Sequence, residues 1–141
     1  MNKYSYDQIK IGQTESFSVR ITQTELDRFC ELTGDLNPLH FDENFAKHKG
    51  YDSCVVYGLL SASYLSTLVG MYLPGERSLI QEVDLKFPKA LVCNNGVDIT
   101  ISGTVAEKFD AVKVILLKIT ITDEEEFKIV RGNMKVGVLD D

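Results

Sequence analysis

The stretch Gly34-Asp35-Leu36-Asn37-Pro38-Leu39-His40-Phe41-Asp42 gathers a carboxylate, an amide, a proline and an imidazole into a short run of chain. An aspartate and a histidine held together are a general acid–base pair. Imidazole suits that work because its ordinary pKa, about 6.5, lets it exchange protons at neutral pH. Gly34 is placed to end an upstream helix: glycine takes the left-handed C′ conformation cheaply, and the nearby Pro38 cannot continue a helix. Asn37, directly before Pro38, is pushed toward extended geometry. Asp35 to His40 is therefore expected to be a structured loop, with a chain direction that can aim both side chains at one spot. Turn loops also favour Gly, Asp, Asn and Pro for purely local reasons. Residue types alone leave turn chemistry and catalysis both open.

Periodicity supplies the elements that must position this loop. Thr14 to Arg20 sets Phe17 and Val19 against Ser16 and Ser18 and predicts a short strand. Thr22 and Glu25 have capping-box spacing, with each side chain satisfying an orphan backbone donor. Behind them Leu26, Phe29, Cys30 and Leu32 or Thr33 fall near helical spacing. Asp42 to His48 predicts a short helix with Phe45 and Ala46 inward. Tyr57 to Leu73 contains no charged residue and stops at Pro74-Gly75. Sixteen residues from Gly58 make a helix about 24 Å long. Uncharged on all sides, it is expected to be buried all round. After it the period changes to two. Leu79, Gln81, Val83, Leu85 and Phe87 alternate with Ser78, Ile80, Glu82, Asp84 and Lys86. Val97 to Val105, Val112 to Ile121 and Phe127 to Val138 supply three more strands. Turn signals at Asn94-Asn95-Gly96, Lys108-Phe109-Asp110 and Asp123-Glu124-Glu125 predict an antiparallel meander. The fold class is α+β, with one long apolar helix packed against a strongly curved antiparallel sheet.

Composition removes several classes of function. The 141 residues fit one domain spanning 1–141. A formal net charge of -6 argues against nucleic acid as a partner, since phosphate binding needs clustered Lys and Arg. No run approaches the apolar length of a membrane span, and the N-terminus lacks the apolar core of a signal peptide. Cys30, Cys54 and Cys93, odd in number and without paired spacing, point to free thiols in a reducing cytoplasm. His40, Asp42, His48 and Cys54 lack zinc-ligand spacing, so no metal is expected. Cys54 and Cys93 lack the histidine partner of a cysteine nucleophile. No glycine-rich dinucleotide or phosphate loop is present, and no cofactor is expected. His48, between Lys47 and Lys49, reads as a solvated residue in a small basic patch open to a phosphate.

Gly34 to Asp42 resembles the hydratase motif of the MaoC-like dehydratases, the (R)-specific enoyl-CoA hydratases of hotdog fold. Tyr57-Gly58-Leu59-Leu60-Ser61-Ala62 resembles the start of that family's central helix, and Val83 to Leu91 the strand that follows. The resemblance runs from about Thr14 to Met134. It implies a curved sheet wrapped around the central helix. By position it makes Asp35 and His40 the catalytic dyad, Asn37 the residue that shapes the loop, and Gly58 the glycine whose amide faces a thioester carbonyl. It sets Ser66 where relatives carry a hydroxyl near the catalytic carboxylate. Relatives usually have His before that glycine; here it is Tyr57, which puts local packing and substrate preference in question.

The implied reaction is reversible addition of water to a trans-2-enoyl thioester, giving an (R)-3-hydroxyacyl thioester. Water must lose a proton as it attacks C3, and C2 must gain one; a carboxylate and an imidazole sharing one water can serve both needs. Charge pushed onto the thioester oxygen needs a donor, and the free amides of a helix N-terminus offer one. Such a donor is typically worth about 3–4 kcal/mol in the transition state. Leu65, Val69 and Tyr72 are candidate pocket residues on the helix. The implied partners are an acyl-CoA or acyl-carrier-protein thioester and a second copy of the chain, in a homodimer or a higher homo-oligomer. Two other activities fit the same scaffold: an acyl-CoA thioesterase and a non-catalytic acyl-thioester binding protein.

Overall fold

The computed structural model describes residues 1–140. Strand β1 (Thr14–Ile21) leads into helix α1 (Gln23–Thr33) through the expected capping box. The Thr22 hydroxyl and amide both donate to the Glu25 carboxylate, at 2.6 and 2.7 Å, and hold it below the usual carboxylate range. Helix α2 (Glu43–His48) starts on Asp42, whose Oδ1 accepts from the Phe45 amide at 3.0 Å. Helix α3 (Gly58–Thr67) continues as a wider π-helical turn over Leu68–Tyr72, so the helical stretch ends within a residue of the expected stop.

The strands β2 (Ser78–Lys86), β3 (Val97–Phe109), β4 (Val114–Thr122) and β5 (Lys128–Val138) join β1 in one antiparallel sheet of order β1-β3-β4-β5-β2. This corrects the expected four-strand meander. Only β3, β4 and β5 follow one another as neighbours, while β2 crosses to the far edge beside β5. Pro88 has no amide to donate, so the chain leaves the sheet after Lys86. The segment 87–96 then runs as a strap over the chain before α3: Val56 N donates to Leu91 O and Cys93 N to Cys54 O, each at 2.8 Å. The Asn94-Asn95-Gly96 turn, left-handed at Asn95 and Gly96, ends this strap rather than a hairpin.

The core forms where the sheet curls onto α3. Leu60, Leu65, Leu68 and Val69 meet Ile101, Val105, Leu117, Ile119 and Met134 in one buried cluster. Gly103 makes the approach tight: a Cβ there would lie 2.8 Å from Leu68 Cδ2. The expectation that this helix is covered on all sides fails, because Leu59, Ser63, Ser66 and Met71 are exposed. The sheet wraps one side of the helix and leaves the other uncharged but open. In β2 the alternation breaks at Gln81, where the register against β5 slips, and no residue of the strand is buried.

Gly132 brings β5 against β2 so closely that a Cβ there would overlap Asp84 O. Backbone cannot yield cheaply, so Gly132→Ala is expected to cost about 3 kcal/mol. A urea midpoint shows the loss directly, and an unchanged midpoint would mean that β2 docks more loosely than described.

Candidate active site

The loop after α1 is built by its own side chains. Gly34 is left-handed, with φ 75°, and its amide donates to Cys30 O at 2.8 Å. Asp35 Oδ1 accepts from the Asn37 amide at 3.0 Å, and Asn37 Oδ1 from the Leu39 amide at 3.0 Å. The second bond caps a 3-10 turn over Pro38–His40, with Asn37 extended as a residue before proline should be. That turn carries His40 inward, to 9% exposure.

Inside, His40 Nδ1 lies 2.6 Å from Val55 O. A carbonyl oxygen can only accept, so Nδ1 carries the proton and Nε2 of the neutral ring keeps a lone pair for chemistry. Val55 N donates to Leu39 O at 3.0 Å, tying the loop to the segment before α3. Tyr57 completes the clamp. Its ring stacks on His40 with centroids 3.8 Å apart and leans on Phe29 at 4.8 Å. Its hydroxyl donates to the Asp35 backbone oxygen at 2.8 Å.

Burial, followed by contact with Cys30 and nearby acids, pushes the Tyr57 phenol up to about 12. The folded chain thus holds this proton more tightly than the unfolded chain, where the value is 10.0. The resulting stability is whole below pH 10 and is lost as pH rises toward 12. Tyr6, raised to about 12 chiefly by burial, adds to the same alkaline loss. Tyr57→Phe is expected to cost about 1 kcal/mol at neutral pH, the worth of one hydrogen bond, and to flatten part of the decline above pH 10. Urea midpoints across the alkaline range check both. An equally steep decline in the variant would shift the cause to other groups.

His40 and Gly58 line one cavity of about 290 Å³, together with Ser61, Phe87, Leu91 and Val130. Gly58 opens α3, and its amide has no partner within the helix. The position is tight, since a Cβ on Gly58 would lie 3.2 Å from the Phe87 ring. A small planar group entering the cavity can thus meet an imidazole and a helix N-terminus together.

Other expected site residues lie elsewhere. Asp35 is joined to His40 through Tyr57, but its carboxylate is exposed and does not line this cavity. Asn37 is exposed and shapes the turn. Ser66 is exposed and lies about 140° around the helix from Ser61. Leu65 and Val69 belong to the core, and Tyr72 stacks on Phe17 at 5.0 Å; none of the three lines the cavity. The cavity meets only the first turn of α3, so residues further along the helix are spent on the sheet. Val55, Phe87, Leu91 and Ser61 are additions. The strap residues carry no local signal, because a chain crossing between sheet edges brings them there. Ser61 had one: it lies three residues after Gly58, on the same helix face.

The family model described as MaoC like domain matches residues 7–124. The chain is 30% identical over 105 residues to an (R)-specific enoyl-CoA hydratase of Rhodospirillum rubrum, covering 73% of each chain. It is 36% identical over 86 residues to the (R)-specific enoyl-CoA hydratase of Aeromonas caviae, covering 60% of this chain and 64% of that one. The solved structure of an (R)-hydratase from A. caviae involved in PHA biosynthesis superposes with a TM-score of 0.87 at 28% identity, over 93% of this chain and 98% of that one.

Proposed function

The chain belongs to the MaoC-like domain family, and from that premise we propose that it is a hydro-lyase, an (R)-specific enoyl-thioester hydratase acting reversibly as a 3-hydroxyacyl-thioester dehydratase. The observation that carries this reading is the meeting of His40 and the Gly58 amide on one cavity. The fold is that of the A. caviae (R)-hydratase.

In this reaction the thioester carbonyl points at the Gly58 amide, where the free donor and the positive end of α3 meet the charge that develops on oxygen. His40 Nε2 holds the attacking water, and the dyad requires the Asp35 carboxylate, exposed in this chain and outside the cavity lining, to turn toward that water. One takes its proton as oxygen bonds to C3, and the other delivers a proton to C2. Val55 O fixes the imidazole tautomer, and Tyr57 fixes both the ring and the Asp35 backbone. The substrate is an acyl-CoA or acyl-carrier-protein thioester. A thioesterase on this scaffold would need a carboxylate along the central helix, and Gly58 to Tyr72 carries none. The free thiols of Cys30, Cys54 and Cys93 fit a reducing compartment such as the cytoplasm.

The working form is a homodimer. Strand β2 is a sheet edge with unpaired backbone groups. Leu79, Val83 and Phe87 lie exposed along and just beyond it, and Leu59 is exposed on the open side of α3. Light scattering at micromolar concentration is expected to give twice the mass of one chain; the mass of a single chain would contradict the assembly.

The reaction itself is tested by hydrating an enoyl thioester in deuterated water and resolving the product. One deuterium at C2 and the (R) configuration at C3 are expected. An (S) or racemic product would refute the assignment.

A further inference from the structure

Apart from tyrosines and cysteines, His40 and Ser61 are the two buried polar side chains among the described residues, and both line the same cavity. Ser61 is only 2% exposed. Its hydroxyl makes no hydrogen bond among the described residues, yet no buried side-chain oxygen there is sealed away without a partner. The Ser61 oxygen must therefore open on the cavity itself. A hydroxyl taken from water and left unpaired is costly, and Gly58, the other residue of α3 that lines the cavity, offers it only backbone. The hydroxyl lacks only a partner that enters from outside.

Its place on the helix says which part of a ligand that partner is. Ser61 follows Gly58 by three residues, about 300° around and about 4.5 Å along the axis, so the two share a face. Side chains on a helix lean toward its N-terminus and cover the preceding turn. The Ser61 hydroxyl therefore leans back over the turn that presents the Gly58 amide.

We infer that Ser61 is a second hydrogen-bond donor to the substrate's thioester oxygen, paired with the Gly58 amide in a two-donor site at the N-terminus of α3. This rests on the hydratase reading and adds a catalytic residue to it. The Ser61 hydroxyl strengthens its bond as the oxygen gains charge during water attack, so it acts on turnover more than on binding. The backbone that carries it is fixed: the Ser61 amide donates to Tyr57 O at 3.2 Å in the first turn of α3.

The test compares native chain with Ser61→Ala and with Ser61→Cys, which keeps the volume but is a weak donor. With a 2-enoyl-CoA substrate, both variants are expected to lose about 10²-fold in kcat, the scale of one such donor, with KM moving by less than about 3-fold. A second reading uses butyryl-CoA labelled with ¹³C at the thioester carbonyl, a saturated ligand that cannot react. Its carbonyl infrared band is expected to shift to lower frequency on binding native chain, and by visibly less on Ser61→Ala. Native kcat in either variant, or an identical carbonyl shift, would overturn the role of Ser61 while leaving the hydratase reading intact. A native chain that turns over no enoyl thioester would overturn both.

Discussion

Replacing His40 with glutamine is expected to lower kcat for enoyl-thioester hydration by about 10³-fold, within the range that a positioned acid–base group contributes. Glutamine can still reach the Val55 carbonyl through its amide, which His40 Nδ1 now meets at 2.6 Å. It cannot accept a proton and pass it on. The variant should stay folded, losing about 1 kcal/mol from the aromatic stack on Tyr57. Steady-state kinetics beside a urea midpoint separate the two effects. If kcat survives, His40 serves as a packing residue and the catalytic group is another.

Asp35→Asn carries the second large effect and settles a question the residue types leave open. Asparagine keeps an oxygen that can accept from the Asn37 amide, as Asp35 Oδ1 does at 3.0 Å. The bond from Tyr57 goes to the Asp35 backbone and is untouched. A residue needed only for the turn would tolerate the change. A residue needed as a carboxylate would not, and kcat is expected to fall by about 10²-fold or more with the midpoint unmoved. Native turnover in Asp35→Asn would reduce Asp35 to turn chemistry.

The loop was legible because its conformational needs are local. Gly34 for a left-handed cap, Asn37 before Pro38, and the Thr22/Glu25 box all appear as their residue types require. The meander of β3, β4 and β5 was legible from strict alternation. What escaped was long-range. Nothing local in β2 says that it pairs with β5 across the sheet rather than with β3. That one pairing decides that the strap 87–96 crosses the cavity and sets Phe87 against Gly58. Lack of charge along the central helix marks a buried surface without saying what buries it, so full cover is the expectation it supports. The sheet covers only part, and the open face carries Leu59 and Ser66. For the same reason the sequence leaves Leu65 and Val69 as pocket candidates while favouring ordinary core for each. The curl of the sheet onto the helix is what commits them to the core.

The central claim is that this chain adds water to an enoyl thioester with His40. Its most direct test is ultraviolet absorbance of the enoyl-thioester band, with crotonyl-CoA and then longer 2-enoyl-CoAs, using native chain beside His40→Gln. The expected result is a fall in absorbance with native chain and almost none with the variant. No fall across the whole chain-length series, with acyl-CoA still bound, would contradict the claim and leave a non-catalytic acyl-thioester binding protein.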